Sequence, residues 1–230
     1  METRPVVQYK YLLLLAMLYL TVDLACLALT YKFVLVGVTG IGFIKTSIEI
    51  FIFPLTYTIT DIITEVYGYQ TARKVIWLVF LCDFLFALIT FFMVKVHSPD
   101  QIMQKTYDDV FASLLRGSLA ETVGVLCGIF ANVYLVSKFK VIAQGKYFWL
   151  RSIGGASTGE AILVIIAVPI IFWGKLGNSD ILTMIVSTYI YKVIFAIVIS
   201  VPASIVAQFL KLKENIDVYD YNVKFNPFLI

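Results

Sequence analysis

Apolar segments long enough to cross a bilayer follow one another along most of this chain, and the residues that interrupt them are costly ones. Asp61, Glu65, Asp83, Arg116, Glu121, Asn132, Glu160 and Lys192 all lie inside such segments. A charge at the bilayer centre costs at least about 2.5–3.5 kcal/mol on insertion scales. A chain that carries several must pair them or turn them toward a wet cavity. The combination points to a membrane protein that handles a polar solute rather than to an inert anchor.

Of 230 residues, 60% are hydrophobic and 14% charged, and the mean hydropathy is +0.91. A soluble domain carries about 25% charged residues. The length suits one bundle of roughly six spans of about 20 residues each. The expected fold is therefore an all-α membrane protein, a single domain over 1–230. Its spans fall near 10–31, 46–67, 72–95, 110–136, 150–173 and 181–210, with a short polar tail from Lys211. Phe33 to Ile44, rich in Val and Gly, reads as a re-entrant or interfacial stretch. His97 to Asp109 reads as the longest polar loop, and Ser137 to Lys146 as a basic loop. Arg4 and Lys10 followed by Tyr11 to Leu20 look like the start of a signal peptide. The apolar run outlasts that pattern and more spans follow, so a retained first helix is expected.

Lysine and arginine set the orientation. With a cytoplasmic N-terminus, Arg4, Lys10, Arg73, Lys74, Lys138, Lys140, Lys146, Arg151, Lys211, Lys213 and Lys224 fall inside. Lys32, Lys45, Lys95, Lys105 and Lys175 fall outside. The ratio of about two to one favours both termini in the cytoplasm. The net charge of +3 is then topological, and no basic stripe with interleaved aromatics suggests nucleic acid. Cys26, Cys82 and Cys127 sit in apolar runs and read as small hydrophobes. With His97 the only histidine, neither a metal site nor a cofactor is expected. Enzyme motifs are also wanting: there is no Gly-x-Ser-x-Gly elbow and no His-Glu-x-x-His. Gly42 to Thr46 lacks the glycine that precedes the lysine of a phosphate-binding loop.

The chemistry-bearing residues fall in four spans. In the second, Asp61 and Glu65 are four apart, so one helical face presents both carboxylates. Either is held by a neighbouring cation, with Arg73 and Lys74 at hand for Glu65, or is open to a ligand. In the fourth, Arg116 near one end could snorkel, Glu121 lies deeper, and Asn132 follows. Gly124-x-x-x-Gly128 there suits close helix packing. The fifth opens with Arg151 and runs Gly154-Gly155-Ala156-Ser157-Thr158-Gly159-Glu160, where small residues let a backbone or a flat ligand approach closely. The sixth places Tyr189 and Lys192 on one face. Lys192 is a counter-charge for Glu160, Glu121 or Asp61. Acids within the spans outnumber Arg116 and Lys192, so full mutual neutralisation needs a proton or a ligand. Asp61, Glu65, Arg116, Glu121, Glu160, Tyr189 and Lys192 are therefore expected to converge on one cavity.

The string FPLTYTITDIITEVYGYQTARK, Phe53 to Lys74, resembles the signature of the queuosine precursor transporter family, also called the vitamin-uptake-transporter-like family. Other segments agree in order along nearly the whole chain. They are Arg116 and Asn132 in span four, Trp149 to Gly154 with Gly159-Glu160 in span five, and Tyr189, Lys192 and Pro202 in span six. The tail adds Tyr219-Asp220 and Phe225-Asn226-Pro227-Phe228. Two departures stand in the fifth span: Gly155-Ala156 where the family often has Ser-Thr, and Leu163 where it often has Asp.

The resemblance implies a six-helix inner-membrane importer of 7-cyano-7-deazaguanine, its aminomethyl analogue or queuine, for salvage into tRNA. It also implies a helical arrangement similar to the substrate-binding component of energy-coupling-factor transporters. The solute suits the residues. A buried carboxylate accepts two N–H donors from one edge of the ring, and an aromatic side chain stacks on its face for about 1–3 kcal/mol. Phe53, Tyr57, Trp149 and Tyr189 are the candidates for stacking. A solitary facilitator, a proton-coupled carrier and a subunit of an ATP-driven energising complex all remain compatible. The rival readings are import of another small polar heterocycle or vitamin, and a non-transporting docking protein whose charges are purely structural pairs.

Overall fold

The computed structural model describes residues 9–38, 42–111, 114–174 and 176–229; the side chains of 37, 38, 42–45, 116, 117 and 121 lie outside the description. The protein is an all-α multi-pass membrane protein. Helix α1 is Leu12–Leu29, α2 Pro54–Tyr67, α3 Tyr69–Val94, α4 Gln101–Phe111, α5 Leu114–Ile142, α6 Phe148–Phe172 and α7 Asn178–Glu214. Among the described residues, six helical segments are long and apolar enough to span a membrane.

The arrangement is governed by α2. Its residues are Thr, Asp, Glu and Tyr among Ile and Val, and nearly all of them are buried. It touches α1, α3, α5, α6 and α7. A helix this polar cannot face lipid, so the apolar helices surround it. They present Leu13, Leu78, Leu85, Ile194, Val198 and Ile205 outward. The threonines of α2 satisfy themselves: Thr56 donates to the Phe53 carbonyl, Thr58 to Pro54, Thr60 to Thr56 and Thr64 to Thr60. Its acids and tyrosine hydroxyls need partners from other helices, and Tyr67 donates to Glu214 of α7 at 2.8 Å. Pro54 stands at the first position of α2, where its missing N–H is no loss. It does not open the interior of a longer helix, as a continuous span 46–67 would require. A 3₁₀ turn, Ile48–Phe51, supplies the remaining length instead.

Three stretches read as loops or interfacial segments are ordered. Phe33 to Ile44 falls mostly in an antiparallel hairpin, β1 Phe33–Val38 paired with β2 Gly42–Ser47, with Phe33 opposite Ser47. The branched residues that look merely apolar in sequence alternate along these strands. The hairpin is tied to the bundle by a Thr46–Thr188 hydroxyl pair at 3.3 Å and a Phe33–Phe172 ring contact at 5.4 Å. Most of the expected polar loop 97–109 is α4, whose first amides, those of Ile102 and Met103, donate to Asp100 Oδ1. In the expected basic loop, α5 continues to Ile142, and Lys140 is only 2% exposed.

At 37 residues, α7 is about 55 Å long and overshoots a hydrocarbon core of about 30 Å. Its last turn meets the start of α1, where Tyr11 N–H donates to Glu214 at 2.7 Å. The chain then folds back as a tail over the ends of α2, α3 and α5. The Asp220 carboxylate accepts from the Tyr69 amide at 2.8 Å and from Ser137 at 2.6 Å. It thereby caps α3 with a negative charge at the favoured end of the helix dipole. Arg73 and Trp77 donate to the Asn226 and Pro227 carbonyls, and Phe225 packs edge-on to Tyr69 and Tyr134. Gly68, between α2 and α3, has φ +82°, and a Cβ there would meet Val218 at 2.7 Å.

Candidate functional site

The acids of α2 lead to two adjoining polar clusters. In the deeper one, Asp61 is fully buried. Asn132 of α5 donates to its Oδ1 at 2.6 Å, and Ser152 of α6 donates to its Oδ2. Asp61 thus ties three helices together, and both of its oxygens are occupied.

Beside it lies an enclosed void between α2, α6 and α7, bordered by Tyr57, Thr58, Asp61, Ser152, Glu160 and Lys192. The space open to the centre of a water-sized sphere is about 10 Å³, roughly what one water needs. A heterocycle therefore enters only if the helices part. Glu160 Oε2 lies 3.2 Å from Lys192 Nζ, yet neither Glu160 oxygen has a hydrogen-bond partner among the described residues. The same holds for the Tyr57 hydroxyl and Asn132 Oδ1. Buried polar atoms without partners cost about 1–3 kcal/mol each, and Tyr57, Asn132 and Glu160 carry them in one part of the bundle. Lys192 Nζ also sits 3.6 Å from the centroid of the Phe53 ring.

α5 and α6 hold this cluster through glycine. A Cβ on Gly128 would lie 2.5 Å from the Gly159 carbonyl and 2.7 Å from the Tyr57 hydroxyl, and one on Gly159 would lie 2.5 Å from the Gly128 carbonyl. Gly155 faces Asn132, while Gly154 has open space around it. Of the two close approaches that these small residues allow, a backbone or a flat ligand, Gly155 and Gly159 admit the neighbouring helix.

The second cluster lies one turn along α2, toward the tail. Glu65 is gripped by Arg151 through two bonds, at 2.7 and 3.2 Å, and by Lys211 at 2.6 Å. Lys140 donates to the Glu65 carbonyl, to Asp217 and to the Val218 carbonyl. Lys211 also reaches Asp217 at 2.9 Å. Partial burial alone would raise the Asp217 carboxyl. The hydrogen bonds from Lys140 and Lys211 outweigh it and hold that carboxyl below its ordinary value. Glu65 is therefore paired by Arg151 and Lys211, not by Arg73 or Lys74 just beyond α2. A groove beside it is walled by Trp149, Lys146, Ser204 and Gln208.

The structure thus brings Asp61, Asn132, Glu160 and Lys192 together with Tyr57, and places Phe53 against Lys192. Glu65 occupies its own ion cluster. Trp149 is 45% exposed at the mouth of the groove, and Tyr189 is half-buried against the core. The side chains of Arg116 and Glu121 lie outside the described residues. Asp83 accepts from Ser118 at 3.4 Å, apart from these clusters. Ser152, Arg151, Lys140 and Lys211 were not expected at the site. Of these, Arg151 carried a signal: a lone arginine in the first turn of an apolar helix.

Residues 47–207 match the sequence profile of a family described as "Putative vitamin uptake transporter". The chain belongs to this family. It is also 28% identical over 153 residues to the "Probable queuosine precursor transporter" of Bacillus subtilis (strain 168), a match covering 65% of this chain and 66% of that protein. The match thus spans just under two thirds of the relative's length. No solved structure matches the chain.

Proposed function

We propose that this protein imports queuosine precursors of the 7-deazaguanine type across the cytoplasmic membrane of a bacterium, with both termini in the cytoplasm. The observation that carries the reading is a closed void inside an apolar bundle, bordered by Tyr57 and Glu160, whose hydroxyl and carboxylate oxygens have no hydrogen bond among the described residues. The binding residues on this reading are Glu160, Tyr57 and Phe53, with Asp61, Asn132 and Ser152 fixing the floor and Lys192 balancing charge. Glu160 accepts the N–H edge of the ring, and an aromatic face stacks on it. Glu65, Arg151 and Lys211 close the path toward the tail. The name of the Bacillus relative supports queuosine precursors, and the description of the family supports uptake of a small molecule. No catalytic residue is assigned.

The test is uptake of labelled 7-cyano- and 7-aminomethyl-7-deazaguanine by cells that lack both precursor synthesis and their own importer. Expression of this chain should restore accumulation of label and of modified tRNA. Expression at normal levels in the membrane with no uptake of either compound would refute the substrate assignment.

A further inference from the structure

The void beside Glu160 has a neighbour. A second small space lies between the 3₁₀ turn, α6 and α7, bordered by Glu49, Phe53, Met184 and Thr188, and Lys192 borders both. Lys192 is thus the partition between them. Its ammonium rests on the Phe53 ring and pairs with Glu160 in a contact that leaves both carboxylate oxygens without a hydrogen bond among the described residues. On the far side, Glu49 Oε2 is buried and has no hydrogen-bond partner among the described residues, and Glu49 borders the same small space as Lys192. A loosely held ammonium therefore shares a small space with a second carboxylate.

We propose that the Lys192 ammonium occupies the seat of the incoming ring in the closed state, and that substrate binding moves it from Glu160 and Phe53 to Glu49. This rests on the function proposed above. The match is chemical. A flat heterocycle with an N–H edge needs an acceptor carboxylate and an aromatic face, and those are the two groups that Lys192 now covers. Cation–π contact stands in for stacking, and the ion pair stands in for the donor edge. The exchange also conserves pairing. Glu160 gains the ring's N–H donors as Lys192 gains Glu49, so no buried ion is stranded, which would be costly.

An internal competitor lowers apparent affinity by the fraction of time it holds the seat. It also disfavours a ligand that brings its own ammonium, because the displaced Lys192 stays close by. The neutral cyano compound should therefore bind more tightly than the cationic aminomethyl compound.

The test is the affinity of purified full-length protein in detergent for both compounds, in wild type, Lys192→Met and Glu49→Gln. Lys192→Met should tighten binding of both by about tenfold, with the larger gain for the aminomethyl compound. Glu49→Gln should weaken both by about tenfold although Glu49 touches no ligand, because Lys192 loses its alternative partner. If Lys192→Met fails to fold, Glu49→Gln decides alone, and unchanged affinity overturns the proposal. Folded Lys192→Met protein that loses binding also overturns it, since Lys192 would then be a ligand contact. Wild type that binds neither compound removes the functional reading and this inference with it. Wild type that binds, with both variants unchanged, removes this inference only.

Discussion

Replacing Glu160 by glutamine keeps the shape of the side chain and one acceptor, but it points an NH₂ group at the ligand's donors. Hydrogen bonds to charged groups contribute about 1.5–3 kcal/mol, so Glu160→Gln should weaken 7-deazaguanine binding by about tenfold or more. The measurement is a dissociation constant on folded protein beside a thermal-stability control, and unchanged affinity would take Glu160 out of the site. Arg151 makes a different prediction. It grips Glu65 through two bonds while nearly buried itself. Removing one partner of a buried pair typically costs about 3–5 kcal/mol. Arg151→Ala should lower stability on that scale, reduced here because Lys211 still reaches Glu65. Arg151→Lys keeps the charge and loses the fork, so it should fall between the two. Equal unfolding midpoints for wild type and Arg151→Ala would show that Lys211 alone neutralises Glu65. The sequence made Glu65 and Glu160 visible as costly residues, yet it could not say which was already satisfied. Helical spacing orders residues along one helix and is silent on which neighbour turns toward it.

Between elements, α5 and α6 cross closely at Gly128 and Gly159. A side chain on Gly159 would meet the Gly128 carbonyl, the Tyr57 ring and Asn132, and two of these belong to the proposed site. Gly159→Val should therefore destabilise by at least the about 1–3 kcal/mol typical of overpacking and should weaken ligand binding too. Gly154→Ala is the internal control. Its Cβ would meet nothing within 4 Å, so it should be neutral or stabilising by up to about 1 kcal/mol, from helix propensity. Thermal unfolding of both variants in one detergent separates the cases, and equal midpoints would contradict so close a crossing. Small residues mark both close helix packing and close ligand approach, so the run from Gly154 to Glu160 fitted either a backbone or a flat ligand. Only the position of α5 decides. The hairpin and α4 escaped for a related reason. Val and Leu from Phe33 onward fit a strand as well as an apolar segment, and the signal for α4 was a short cap at Asp100 within a polar stretch. Transmembrane helices were legible because twenty apolar residues admit few other structures.

At the scale of the molecule, the helices cross back and forth so that the start of α1, the α2–α3 turn, the α5–α6 turn and the tail meet at one end. The hairpin and α4 lie at the other. Cysteines introduced at Asp100 and Lys146 should therefore react with an impermeant reagent from opposite sides of the membrane, Asp100 from outside; labelling of both from one side would break the topology. The tail gives the last prediction. Asp217 is hydrogen-bonded by Lys140 and Lys211, which hold its folded value below the unfolded one. A carboxyl shifted in that direction contributes stability that is fully present above its unfolded value of about 3.9. That contribution is lost as pH falls through the lower, folded value. Protection of the tail should hence be flat from neutral pH down to about 5 and should decay below about 4. The amide of Val218, which donates to the Val66 carbonyl at 3.3 Å, is a reporter for it by hydrogen exchange. Asp217→Asn should lower that protection at neutral pH, by freeing Lys140 and Lys211 from their shared acceptor, and should remove most of the acid step. An acid step of unchanged size in Asp217→Asn would show that Asp217 does not set it. The latch at this end of the bundle would then not rest on the lysine bridge.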